Sequence, residues 1–231
     1  MSTSENEKLF SAIATRYDFL NHLLSWNIDR RWRRKLVECA GIKPGERILD
    51  ACTGTGDLAI RFARSDKSSE IIGIDFSEEM LQIARNKMER KGLAGRIRLL
   101  EGDALHLPFE DKSFDVVSIG FGLRNLTDRK GGILEMARIL KKGGRILILE
   151  FAPPRNNLFG LGYNAYLKTI IPVIGGIVSG SMDAYRYFSA SIAGFLQPEE
   201  IVELMGSASL KDICFKPLTG GIAYIYRGEK S

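Results

Sequence analysis

Apolar residues along this chain fall into two rhythms. Over residues 5–40, Leu9, Ile13, Tyr17, Leu20 and Leu24 recur at three- or four-residue steps, the spacing of one helix face. A break is expected near 21–27, and Gly41-Ile42-Lys43-Pro44-Gly45 marks a turn. Beyond it, short β-favouring runs alternate with amphipathic ones. Arg47-Ile48-Leu49-Asp50 predicts a strand, a Gly-rich turn follows, and Leu58-Ala59-Ile60-Arg61-Phe62-Ala63 predicts a helix. Ile71-Ile72-Gly73-Ile74 predicts the second strand. Ser77 then caps a helix with Glu78 and Glu79 in its first turn and Met80, Leu81, Ile83, Ala84 and Met88 along one side. Residues 97–100, 114–119 and 145–151 predict three more strands, with a helix over 129–140 closed by Gly143-Gly144. Residues 212–217 and 221–226 flank Leu218-Thr219-Gly220 as a hairpin that puts one antiparallel strand into the sheet. Strands with apolar cores alternating with helices make a mostly parallel sheet covered on both faces.

Residues 152–190 break that rhythm. Ile170-Ile171-Pro172-Val173-Ile174-Gly175-Gly176-Ile177-Val178 is too short for a bilayer span and is interrupted by Pro and Gly. It reads as a helical lid, whose apolar side either packs on the core or forms a greasy wall for a lipid-like substrate. At 231 residues the chain is expected to be one domain, with an N-terminal helical cap over 1–40 and the lid as an insertion.

The net charge of +5 permits contact with anionic lipid or nucleic acid. Much of the excess lies in Arg30-Arg31-Trp32-Arg33-Arg34-Lys35, which also reads as a solvated helix face. Cys39, Cys52 and Cys214 are odd in number and lack metal spacing. They indicate a reducing cytoplasm, no disulfide framework and no metal cluster. The first thirty residues lack the apolar core of a signal peptide. No aromatic-rich RNA motif accompanies the basic run, so nucleic acid is not an expected partner.

The chemistry concentrates in the turn after the first strand. Gly54-Thr55-Gly56-Asp57-Leu58-Ala59 formally fits the dinucleotide fingerprint G-x-G-x-x-A, which would favour NAD. The acids Asp50, Asp57 and Asp103 argue for S-adenosylmethionine instead. Asp50 could orient a cationic amino-acid moiety. Asp57 at the helix start is a poor neighbour for a pyrophosphate. Asp75, 21 residues after Gly54, can accept from both hydroxyls of a ribose, and Asp103 follows the third strand. After strand four, Phe121-Gly122-Leu123-Arg124-Asn125 should face the reacting group, because ligands of such sheets bind beyond the strand carboxyl ends. Arg124 supplies a cation and Asn125 a two-way hydrogen bonder; a structural salt bridge and a helix cap are their plainer readings.

Several separated blocks resemble the ubiquinone/menaquinone biosynthesis C-methyltransferases. They are Phe10-Ser11-Ala12-Ile13-Ala14-Thr15-Arg16-Tyr17-Asp18-Phe19-Leu20-Asn21, the Asp50 to Asp57 turn, Gly73-Ile74-Asp75-Phe76-Ser77, Gly102-Asp103-Ala104 and Gly120-Phe121-Gly122-Leu123-Arg124-Asn125. Leu149-Glu150-Phe151, Tyr185-Arg186-Tyr187 and Leu218-Thr219-Gly220-Gly221 add to them. Asn27 stands where that family usually has Gly, and Lys142 where it has Pro. Cys52 takes the first glycine place of the broader methyltransferase pattern, and the expected Ala-Gly-Phe near the C-terminal helix is absent.

The resemblance implies a class I methyltransferase, a Rossmann-like α/β fold with a mostly parallel seven-stranded sheet. It implies S-adenosyl-L-methionine as cofactor and a polyprenyl quinol, most directly demethylmenaquinol, as substrate. Thr55 with Gly54 and Gly56 would meet the methionine end, Asp75 with Phe76 the ribose, Asp103 and Ala104 the adenine, and Gly120 the sulfonium end. Arg124 would stabilise a quinol oxyanion and Asn125 would hold the ring oxygen, with Tyr17 and Tyr187 lining the ring. Ile171 and Val173 would meet the prenyl tail. Peripheral contact with the inner face of a membrane is expected, and a homodimer is compatible with the sequence. A methyltransferase for another lipid-like molecule, an RNA methyltransferase and an NAD-dependent oxidoreductase are the competing readings.

Overall fold

The computed structural model describes residues 27–154, 158–171, 173 and 182–231. Helix α1 (Ile28–Ala40) opens the described chain, followed by β1 (Arg47–Ala51), α2 (Asp57–Ser65), β2 (Glu70–Asp75), α3 (Glu78–Arg90), β3 (Ile97–Glu101) and β4 (Phe114–Gly120). A 3-10 turn at Leu123–Asn125 leads to α4 (Arg129–Ile139) and β5 (Leu140–Phe151). Helix α5 (Leu158–Ala165) runs into a wide turn at Tyr166–Ile170. Helices α6 (Met182–Ala193) and α7 (Pro198–Ser207) and strands β6 (Leu210–Leu218) and β7 (Ala223–Lys230) complete the described elements.

The seven strands form one sheet in the order β3-β2-β1-β4-β5-β7-β6. Strands β1 to β5 pair in parallel, and β7 is antiparallel to both β5 and β6. The expected sheet and its C-terminal hairpin are therefore present. Period-two alternation sends Leu49, Ile72, Ile74, Val117 and Ile119 to a core shared with α4 and α7. Their neighbours Ile48, Ile71, Val116 and Leu147 face a second core under α1, α2 and α3.

Local signals explain most boundaries. The Ser77 hydroxyl accepts from the Met80 amide and starts α3 as expected. Asp128 accepts from the Gly131 amide and starts α4. Gly143 and Gly144 do not close that helix. They lie inside β5, where its register with β4 shifts between Phe114 and Val116. A Cβ on Gly144 would stand 2.8 Å from the Lys141 carbonyl oxygen and 3.1 Å from that of Asp115, so the kinked strand needs glycine there.

Three departures from the family-like pattern share one geometry. Asn27, Cys52 and Ser209 take φ of 59°, 51° and 58°. Asn27 and Cys52 stand at glycine places, and Ser209 ends the Gly206-Ser207-Ala208-Ser209 stretch found instead of Ala-Gly-Phe. The backbone thus keeps a left-handed turn that glycine adopts most easily.

Tyr17 lies outside the described residues, as does the 1–26 part of the N-terminal cap. Within 152–190 the described segments are helical or tightly turned, apart from residues 152–154. No helix among the described residues is long and apolar enough to cross a membrane.

Candidate active site

The carboxyl ends of β1 to β4 surround a cavity with an empty volume of about 770 Å³. Gly54 from the first turn, Asp75 and Phe76 from the end of β2, Asp103 and Ala104 after β3, and Gly120 at the end of β4 all line it. Six residues expected to bind the cofactor are thereby brought together from four loops. Cys52, Met80, Leu105, Phe121, Gly122, Leu126 and Thr127 complete the wall with Gly102 and Asn125. The strand-end position of Phe121 and Gly122 is visible in sequence; Met80 reads there only as part of an apolar helix side, and Leu126 carries no signal.

Asp75 is 6% exposed and already organised. Its two carboxylate oxygens accept from the Gly54 amide at 2.7 Å and the Ser77 amide at 3.1 Å. Burial outweighs these bonds and pushes its carboxyl up to about 6. Asp103 is more open. It accepts from the Leu105 amide at 2.9 Å, and its other oxygen lies 3.3 Å from His106 Nδ1. A third carboxylate, Asp50, points elsewhere. It is 1% exposed, does not line the cavity, and accepts from the Thr53 hydroxyl at 2.7 Å and the Ser118 hydroxyl at 2.9 Å. It braces the turn from beneath, its carboxylate engaged by these two hydroxyls.

Thr55 and Gly56 are likewise turned away from the cavity. The Thr55 hydroxyl receives Lys87 Nζ at 3.0 Å, and the same ammonium bonds Asp57 at 2.9 Å. A Cβ on Gly56 would come within 2.7 Å of Met88 and 3.2 Å of Ala84. These residues dock α2 against α3, so the second glycine serves helix packing where the turn pattern had indicated a ligand.

A second cavity, with an empty volume of about 690 Å³, adjoins the first through Asn125, Leu126 and Thr127. Arg124, Arg129, Tyr187 and Ser191 also line it. The Tyr187 hydroxyl donates to Asn125 Oδ1 at 3.4 Å, so two residues expected at the ring site do meet. Arg124 does not present a free charge. Its Nη1 lies 2.8 Å from Glu150 Oε1 and 2.5 Å from the Phe121 carbonyl oxygen, and Nε reaches Ser191 at 3.3 Å. Its own amide donates to Glu150 Oε2 at 3.1 Å, and the guanidinium lies over the rings of Phe151 and Phe188. The structural salt bridge is thus realised, with Glu150 as the unanticipated partner. Ile171 is buried and Val173 half exposed; neither lines either cavity.

The first cavity suits S-adenosylmethionine and disfavours a dinucleotide. Among the described residues its wall holds two carboxylates and no lysine or arginine, which matches a cationic sulfonium and ammonium and would repel a pyrophosphate. Gly54 leaves the backbone open to close approach, since a Cβ there would meet nothing within 4 Å, whereas on Gly102, Gly120 and Gly122 it would press on Ile74, Leu58 and Cys52.

Known proteins agree with this chemistry. A 47% identical relative over 223 residues is the ubiquinone/menaquinone biosynthesis C-methyltransferase UbiE of Geobacter sulfurreducens, matching 96% of this chain and 87% of that protein. The demethylmenaquinone methyltransferase of Thermus thermophilus is 45% identical over 222 residues, 96% of this chain and all of that protein. A crystal structure of a SAM-dependent methyltransferase from Thermotoga maritima superposes with a TM-score of 0.65 at 23% identity, over 97% of this chain and 99% of that one, and shows the shared fold. The model of the ubiE/COQ5 methyltransferase family matches residues 1–230, and the chain belongs to that family.

Proposed function

We propose that this enzyme transfers a methyl group from S-adenosylmethionine to a ring carbon of a polyprenyl quinol, with demethylmenaquinol as its substrate. The carrying observation is the pair of adjoining cavities: one lined by two carboxylates and, among the described residues, by no cation, the other sharing its Asn125 wall. The similarity to demethylmenaquinone methyltransferases supports the quinol.

When bound, S-adenosylmethionine supplies a methyl group already made electrophilic by its sulfonium. Asp75 would accept from the ribose hydroxyls, Phe76 and Ala104 would flank the adenosine, and Asp103 would accept from the exocyclic amine. The protein must then raise the nucleophilicity of the quinol carbon and align it. Loss of a phenolic proton to water does the first, because the oxyanion delivers density to the adjacent carbon, and after transfer that carbon gives up its own proton to water as the ring regains aromaticity; a phenol's ordinary pKa is about 10, so the anion needs donors. Arg124 Nη2 has no hydrogen-bond partner among the described residues and belongs to a side chain on the second cavity. It would donate to the quinol oxygen as a fixed hydrogen bond, while Glu150 cancels most of the long-range charge. Asn125, held by Tyr187, would keep the ring in register, and alignment supplies much of the acceleration. Tyr17 would line the ring from the N-terminal segment, and Ile171 and Val173 would serve the tail. The tail places the substrate in a bilayer, so the enzyme would approach a membrane surface to collect it.

Purified protein given S-adenosylmethionine and demethylmenaquinol should yield a product heavier by one methyl on carbon. Methylation on oxygen, or no transfer to any prenylated quinol, would overturn the proposal.

A further inference from the structure

The basic run of 30–35 does not form one patch. Trp32 is buried and donates to the Thr219 hydroxyl at 2.9 Å, between the rings of Phe121 and Phe151. Its neighbours are thereby divided. Arg30 and Arg34 turn toward α2, where Arg61 and Arg64 stand one helical turn apart, and Lys91 closes the far side after α3; Arg33, paired with Asp29 and lying over the Phe121 ring, edges the same groove. Together they line a groove with an empty volume of about 1040 Å³. Its wall holds six cationic side chains against two carboxylates, Glu38 and Asp57. Both are matched already, Glu38 by Arg34 at 3.7 Å and Asp57 by Lys87 at 2.9 Å.

Arg30, Arg61, Arg64 and Lys91 have no ion pair in the described structure. Arg61 is held below the ordinary guanidinium value, first by partial burial and then by repulsion from Arg34 and Arg33. These four cations, brought into one concave wall without counter-charges among the described residues, cost free energy that a bound anion recovers. Val37 and Ile60, both buried, line the groove beside these cations. Guanidiniums from two helices offer forked donors that suit the oxygens of a phosphate group. The groove lies on the α1–α2–α3 side of the sheet and shares no residue with either cavity of the active site.

We propose that the groove between α1 and α2 is a binding site for a phosphate group, carried either by a phospholipid headgroup or by a soluble phosphate compound. It does not rest on methyl-transfer chemistry, and its test uses neither quinol nor cofactor. The full-length protein is titrated with inorganic phosphate by calorimetry at low ionic strength. In parallel it is sedimented with vesicles of phosphatidylglycerol in phosphatidylcholine, and with phosphatidylcholine alone. Three double variants accompany it: Arg61→Gln with Arg64→Gln, Arg30→Gln with Lys91→Gln, and Lys130→Gln with Lys211→Gln, which removes the same charge elsewhere.

Each groove variant should weaken binding at least about tenfold while the control stays within about twofold, since charge-assisted hydrogen bonds are lost only from the groove. Saturable binding of inorganic phosphate places the source in solution. Binding to phosphatidylglycerol vesicles alone places it in lipid. Either result supports the site. Equal losses in groove and control variants would reduce it to bulk charge and overturn it. So would absence of both kinds of binding, or a groove-dependent preference for a short single-stranded RNA over the vesicles. The two groove variants draw on different walls, so misfolding of one leaves the other decisive.

Discussion

Arg124 and Glu150 form a 2.8 Å ion pair whose side chains are 2% and 0% exposed, at the junction of the cofactor loop, β5 and α6. Removing one partner strands a buried charge, which typically costs about 3–5 kcal/mol. Arg124→Ala should therefore lose stability as well as activity, so its kinetics alone say little. Replacing both residues with Met should cost far less in urea unfolding. If the double variant folds and still turns over at the wild-type kcat, Arg124 has no part in activating the quinol.

Asp50 and Asp75 are both pushed by burial from an ordinary 3.8 to about 6. Between these values the folded protein holds more protons than the unfolded chain. Stability contributed by the protonated forms is present below about 4 and is lost as pH rises through about 6. Each displacement corresponds to about 3 kcal/mol at pH 7. The cofactor-free enzyme should accordingly unfold at higher urea at pH 5 than at pH 7, as far as these two groups decide it. Asp50→Asn should flatten that slope, because both its hydroxyl partners can reorient. An unchanged slope in the variant would show that Asp50 is not the source.

The same ionisation should govern cofactor affinity. Ribose hydroxyls donate best to an ionised Asp75, so the S-adenosylmethionine Kd should fall as pH rises through about 6. Asp75→Ala should weaken binding at least about tenfold, because hydrogen bonds to charged groups contribute about 1.5–3 kcal/mol each. Calorimetry across pH checks both, and a pH-independent Kd in the wild type removes Asp75 from the ribose site.

Val173 is 49% exposed and Ile171 only 3%. Val173→Ser should leave the melting temperature unchanged and raise KM for a long-tailed quinol more than for a tailless one. Ile171→Ser should destabilise the fold by about 2 kcal/mol or more through lost burial. Equal KM changes on both substrates would make the segment a structural cover only.

Ser209 holds φ at 58° just after α7. Ser209→Gly should stabilise the protein by about 1 kcal/mol, the cost of a left-handed turn for a residue with a Cβ. Asn27→Gly should change less, because Asn tolerates this region. Thermal unfolding of the two variants side by side measures the contrast.

The order of elements could be read from the sequence because burial wrote it there. Strands β1, β2 and β4 are covered on both faces and so carry adjacent apolar residues, Ile48-Leu49, Ile71-Ile72 and Val116-Val117, and Ser77 caps α3 through a contact only three residues away. Contacts of longer range were less legible. That Glu150 would neutralise Arg124, 26 residues earlier, depends on β5 lying beside β4. Asp50 and Asp75 both sit at strand ends in the chain, and only the fold turns one carboxylate under the loop and the other into the cavity. Gly56 looks like a ligand glycine until α3 is seen against it. Gly143 and Gly144 read as a helix stop because a register shift within a strand leaves no local signal distinct from a turn.

The hydrogen bond from Trp32 to Thr219 joins residues 187 apart in sequence. Contacts of such separation are reached late in folding, because closing the intervening loop costs entropy before the contact returns anything. Helix α1 is encoded early, yet its docking awaits the turn that joins β6 to β7. Phe121 of the cofactor cavity rests against Trp32, so this wall is among the last parts of the molecule to set. The ability to hold a cofactor should therefore appear in one late kinetic phase, together with the hairpin, and a chain halted before that phase would carry a formed central sheet and no methyl-donor site.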